Sequence, residues 1–170
     1  MIRSGRVASF AAVLALCLTT AAEAAPPAKA ARIVVKKSEH TMLLLAKDDA
    51  VLGSYKVSIG PGGAGPKKRE GDRVTPVGRY HVTMHQPSQF KIFLRLDYPN
   101  AEDRARFERL KRAGELPRGA TIGGDIGIHG GTPPEMKDRD WTLGCVAVED
   151  DEIVEIARLV PDGVIVDIED

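Results

Sequence analysis

The chain has 170 residues, 43% hydrophobic and 28% charged, and its 24 basic and 24 acidic side chains balance to a formal net charge of zero. That length holds one domain with a real core and is short for two. The charge balance leaves no electrostatic footprint for nucleic acid or for docking on an anionic membrane surface.

Met1 to Arg6 is short and basic, Val7 to Thr20 is an almost uninterrupted apolar run, and Ala22-Glu23-Ala24 has the small-x-small pattern of a cleavage site. This is the layout of a secretory signal peptide over residues 1–24. The run falls short of the roughly 20 apolar residues that span a bilayer. The expectation is export with cleavage and no stable membrane insertion afterwards. Cys17 lies inside the run, behind Leu16 rather than the small residue of a lipoprotein signal, and leaves with it. The mature chain then carries one cysteine, Cys145, and forms no internal disulfide.

Residues 25–31 read as a Pro/Ala linker without periodicity, and residues 32–170 as the folded domain. "RIVVKK", "TMLLLAK" and "AVLGSYKVSIG" are β-rich runs separated by turn residues, which predicts an antiparallel meander with His40 as a solvated turn residue. Pro61 to Pro66 is a glycine-rich surface loop, followed by the charged "KKREGDR". It lacks the Gly-Lys-Ser/Thr ending of a phosphate cradle. "TPVGRYHVTMH" and "QFKIFLRLDY" predict two further strands. Helical periodicity then runs from Ala101 to Ala113 and stops at Gly114. "DIGIHGG" is a short strand entering a glycine loop, "VEDDEIVEIARLV" an amphipathic helix with an acidic first turn, and "GVIVDIE" a closing strand. Strands outnumber helices without regular alternation. The fold class is therefore mostly β, sandwich- or barrel-like, with about two α-helices.

A reactive cysteine works as its thiolate, and the usual activator is a histidine brought close by the fold. His81 and His85 lie on or just after a strand and read as ordinary surface or half-buried residues. His129 ends an apolar strand, which holds its ring, while Gly130 and Gly131 allow close approach of backbone and substrate. Gly144-Cys145 follows a polar loop, and amides at such a turn are natural oxyanion donors. Local chemistry thus leaves two readings open: a Cys145/His129 acyl-transfer site, or a buried cysteine and a satisfied core histidine. One cysteine with scattered histidines does not match a metal ligand set, so no metal and no cofactor are expected.

"IHGGTPPEMKDRDWTLGCVAV" resembles the catalytic motif of the YkuD-type L,D-transpeptidase family, a His-Gly followed across one loop by Ser/Thr-x-Gly-Cys. "EGDRVTPVGRYHV" is similar to the family's Gly-Asp-x-x-Thr-Pro-x-Gly-x-Tyr segment, with Thr75, Pro76, Gly78 and Tyr80 matching. "LDYPNAEDRAR" and "DWTLGCVAV" resemble the YafK/ErfK-like branch. The resemblance runs from about Arg32 to the C-terminus. It implies a β-rich catalytic domain acting on peptidoglycan stem peptides in the periplasm or cell envelope, in cell-wall assembly. Cys145 would be the nucleophile and His129 the base and then the acid. The Gly130 carbonyl would orient the imidazole, and amides near Gly144 and Cys145 would hold the oxyanion. The thioester would pass to an amine, giving transfer, or to water, giving hydrolysis. An envelope protein is a further possible acceptor or substrate, and a non-catalytic peptidoglycan-binding module is the remaining alternative.

Two positions depart from the family pattern. Many members carry His before the Gly-Cys and Arg two residues after the cysteine, where this chain has Leu143 and Ala147. Arg104 or Arg139 is then either a replacement cation for a substrate carboxylate or a solvated surface residue. Thr142 belongs to the motif, and Trp141, the sole tryptophan, either packs beneath the loop or lines the substrate groove.

Overall fold

The computed structural model describes residues 28–170; the expected signal peptide and the first residues of the expected linker lie outside the described residues. Ala30, assigned to the linker from sequence, is buried in the core, and its amide donates to Leu159 O at 2.8 Å. Ala31 donates to Leu45 O at 2.8 Å. The folded unit therefore begins ahead of Arg32.

Strands β1 (Arg32–Lys36), β2 (Thr41–Leu45) and β3 (Val51–Lys56) form the expected antiparallel meander. β4 (Gly78–Ser88) and β5 (Lys91–Leu96) make a hairpin. Helix α1 (Ala101–Arg112) follows, then β6 (Gly127–His129), β7 (Val146–Ala147), helix α2 (Asp150–Leu159) and β8 (Ile165–Glu169). The order across the sheet is β3-β2-β1-β8-β4-β5-β6-β7, with only β1/β8 and β6/β7 parallel. The sheet curls until its ends meet: Ser58, two residues past β3, exchanges both backbone hydrogen bonds with Ala147 of β7, at 2.9 and 2.8 Å. The mostly β architecture with two helices is thus realised as a barrel-like single sheet, and the closing contact falls next to Cys145.

Period-2 alternation fills the interior. Ile33 and Val35 of β1, Met42 and Leu44 of β2, Leu94 of β5 and Val166 of β8 are all solvent-free. Each such side chain contributes about 1.5–3 kcal/mol by leaving water. Ile153 and Ile156 bury the inner face of α2, which packs on β5. α1 starts on a capping box: the Asn100 side chain accepts from Glu102 N and Asp103 N, while Asp103 Oδ2 accepts from Asn100 N. Asp103 is buried and also accepts from Tyr80 Oη (3.2 Å) and Arg106 (2.8 Å), which ties the motif tyrosine to this helix. The cap at the other end is Ala113, with Gly114 following in the left-handed region at φ +71°. Among the described residues no helix is long and apolar enough to cross a membrane.

Candidate active site

Register brings the two chemical side chains to one face. β6 and β7 run parallel with Ile128 beside Val146 and His129 beside Ala147, so Cys145, one residue before β7, falls level with Gly127. On the other side of β6, Phe93 lies opposite His129 and Arg95 opposite Gly127. Side chains two apart on a strand share a face, which puts Arg95, Phe93, His129 and Cys145 on one surface. Adjacent strands at about 4.8 Å and a two-residue offset leave about 8 Å between the His129 and Cys145 Cα atoms. All four residues line one cleft of about 730 Å³.

His129 is 2% exposed. Phe90 (ring centroids 4.5 Å apart), Phe93 (5.9 Å, nearly parallel) and Trp141 (5.8 Å, edge-on) wall its ring. Its Nδ1 lies 2.6 Å from Gly130 O. A carbonyl only accepts, so Nδ1 carries the proton, and the neutral tautomer leaves Nε2 as the basic nitrogen. Burial pushes the imidazole below its ordinary value of 6.5, against the smaller opposing effect of the Gly130 bond. Gly130 serves a close approach, though to helix α2: a Cβ there would sit 2.8 Å from Ile153 Cγ2 and 2.9 Å from Asp150 Oδ1.

Cys145 is half-buried, and its Sγ lies 3.5 Å from Asp125 O. Burial raises the thiol above 9.0, opposed by the Gly127 amide and the charge of Lys67. Burial thus shifts both groups toward their neutral forms.

The turn before Cys145 is held by hydroxyls. Thr142 is buried; its Oγ1 donates to Cys145 O at 2.7 Å and accepts from Gly144 N at 3.2 Å. Thr75, also fully buried, accepts from Gly60 N at 2.9 Å and points its hydroxyl at Cys145 O at 3.5 Å. Gly144 has φ +132°, and a Cβ there would meet Val74 O at 2.9 Å and Ile126 Cδ1 at 3.1 Å, so only glycine fits. Because the Gly144 amide is committed to Thr142, it is not available as an oxyanion donor in this conformation. Trp141 both packs against His129 and Phe90 and lines the cleft; its buried indole N–H has no partner among the described residues.

The cations in the cleft are not those suggested by sequence. Arg104 sits exposed on α1 and Arg139 exposed in the loop before Trp141, and neither lines the cleft. Lys67 and Arg95 do. Lys67 has a buried side chain paired with Asp72 at 2.6 Å. Asp72 also accepts from the amides of Lys68, Arg69 and Val74. Burial would raise its carboxyl, but these bonds outweigh that and hold it below 3.8. Arg95 pairs with Asp125 and stacks over Phe93. Lys67 was not singled out from sequence; the position of "KKREGDR" next to the Thr-Pro segment was the signal that could have found it. His40 is likewise more than a solvated turn residue. Its Nε2 lies 3.1 Å from both Asp140 oxygens, and Asp140 also accepts from Ile59 N, tying the β1–β2 turn to the cysteine loop.

The family described as "YkuD: L,D-transpeptidase catalytic domain" matches residues 30–168. The protein of Escherichia coli strain K12 named "Putative L,D-transpeptidase YafK" is 38% identical over 79 residues, covering 43% of this chain and 32% of that protein. The match thus spans about a third of the length of this curated relative. The structure of Bd1075 from Bdellovibrio bacteriovorus superposes with TM-score 0.58 at 20% identity over 84% of this chain and 48% of that one. An L,D-transpeptidase of Mycobacterium tuberculosis H37Rv superposes with TM-score 0.56 at 14% identity over 83% and 58%. At these identities the superpositions speak for the fold, and the match over residues 30–168 speaks for the family. The chain belongs to the YkuD family of L,D-transpeptidase catalytic domains.

Proposed function

We propose that the protein is an exported cysteine acyl-transferase that works on peptidoglycan stem peptides in the cell envelope, with Cys145 as nucleophile and His129 as base and then acid. The observation that carries it is the pair itself: Cys145 and His129 share one face and one cleft, and Gly130 O fixes the tautomer that frees His129 Nε2. With burial raising the thiol and depressing the imidazole, Sγ loses its proton to Nε2 as it attacks the stem-peptide carbonyl. Collapse of the tetrahedral adduct breaks the amide C–N bond, and His129 returns the proton to the departing D-alanine amine. The thioester on Cys145 is then taken by an acceptor amine, which gives a cross-link, or by water.

Family membership supports the reaction class, and the aromatic wall of Phe90, Phe93 and Trp141 supplies an apolar surface for the peptide. The test is incubation of the purified protein with defined disaccharide tetrapeptides, followed by mass spectrometry. New cross-linked dimers that vanish in Cys145→Ser support transfer. Loss of terminal D-alanine without dimers, also Cys145-dependent, assigns the same acyl-enzyme to hydrolysis. Turnover retained in Cys145→Ser would sink the mechanism.

A further inference from the structure

Lys67 holds more hydrogen-bonding capacity than the fold uses. Its side chain is 3% exposed, and one of its three N–H donors goes to Asp72 at 2.6 Å. Among the described residues no acceptor meets the other two, although Lys67 lines the cleft that holds Cys145. Buried donors without acceptors call for an explanation beyond packing. Nζ also lies 3.4 Å from where a Gly144 Cβ would stand, so the ammonium touches the turn that carries the cysteine.

That turn has few free donors of its own. Attack at a carbonyl creates an oxyanion, and acyl-transfer sites meet it with preorganised hydrogen-bond donors. Gly144 N–H already belongs to Thr142 Oγ1. The Cys145 amide has no acceptor among the described residues and is a backbone donor left at this corner. Arg95, the other cation in the cleft, is engaged by Asp125.

We propose that Lys67 is a catalytic residue whose Nζ, together with the Cys145 amide, holds the oxyanion of the tetrahedral intermediate. This rests on the acyl-transfer reading of Cys145. As Sγ bonds to the carbonyl carbon and its proton passes to His129 Nε2, the C=O π pair moves onto oxygen, and an unused Lys67 N–H accepts that charge without transferring a proton. When the C=O re-forms and the C–N bond breaks, the leaving nitrogen takes the proton from His129, and Lys67 is unchanged.

Two reactions at the same sulfur separate this role from a structural one. A carbapenem acylates a thiol through a tetrahedral oxyanion, whereas iodoacetamide is displaced at a saturated carbon and forms none. Both second-order rates are read by intact-protein mass spectrometry on the full chain, with alkylation taken across pH so that variants compare at equal thiolate fraction. Lys67→Met is expected to lose roughly 10²–10³-fold in acylation while its alkylation changes less than about threefold, with Lys67→Arg recovering part of the acylation. Lys67→Gln, which keeps a hydrogen bond within reach of Asp72, serves if the Met variant does not fold. Acylation at the wild-type rate in these variants, or equal loss in both reactions, overturns the proposal. Wild-type protein that alkylates but is not acylated overturns the acyl-transfer reading itself, a failure visible before any variant is made.

Discussion

Thr142→Val tests whether a single hydroxyl sets the cysteine turn. The two side chains are nearly the same shape, so the change removes one donor and one acceptor with little change of volume. Gly144 N then loses its partner at 3.2 Å, and Cys145 O keeps only the longer Thr75 contact at 3.5 Å. Leaving buried polar groups unpaired costs about 1–3 kcal/mol each, and the added methyl returns about 0.8 kcal/mol. The expected net loss is about 2 kcal/mol, or about 6 °C in Tm for a domain of this size. The Gly144-Cys145 corner is freed at the same time, so Cys145-dependent turnover of tetrapeptide falls at least about tenfold. Thr142→Ser keeps the hydroxyl and loses only a methyl, so it should stay within about 1 kcal/mol of wild type with near-normal turnover. Thermal unfolding and a muropeptide assay on the three proteins decide the matter. A Val variant with wild-type Tm and turnover would refute the assignment, as would a Ser variant as impaired as Val.

Two further outcomes follow from the charges. Asp72→Asn leaves the buried Lys67 ammonium without its counter-charge and turns an NH2 toward backbone donors, so it should cost about 3 kcal/mol or more in a urea titration at pH 7. The folded carboxyl titrates below 3.8, so its stabilisation is complete above that value and is lost as pH falls through the folded value. Wild type should therefore lose more stability than Asp72→Asn between pH 5 and pH 2, and parallel profiles would count against the pairing. Separately, the raised Cys145 thiol predicts iodoacetamide alkylation that climbs about tenfold per pH unit from 7 to 9; a plateau below pH 8 would mean a preformed thiolate.

The elements were legible because their signals are local. The apolar β-rich runs in 32–37 and 41–47, the helical periodicity from Ala101 to Ala113 and the amphipathic 148–160 stretch each declare themselves within one window. The pairing of Ser58 with Ala147 is not local. It joins the end of one β-rich run to a short segment remote in sequence, and it depends on every intervening strand taking its register. His129 and Cys145 stood out by type and context, yet whether they face one another is a property of the β6/β7 register. Their charge state depends on burial, which favours the neutral form of each.

The same distinction explains where the cations lie. Arg104 and Arg139 were attractive because arginines near a motif suggest carboxylate binding, but an exposed helix face and an exposed loop direct them elsewhere. Ala147 offers no place for a charge either: it is 1% exposed and takes part in the closing bridge. Of the two cations that line the cleft, Arg95 stands on β5 and is engaged by Asp125, and Lys67 comes from chain folded over the cleft. Asp72, five residues on from Lys67, turns the 67–74 loop back on itself through one side-chain and three amide hydrogen bonds. The loop delivers Lys67 to the cysteine turn, and the carboxylate that shapes the loop is also the counter-charge that lets the ammonium stay buried there.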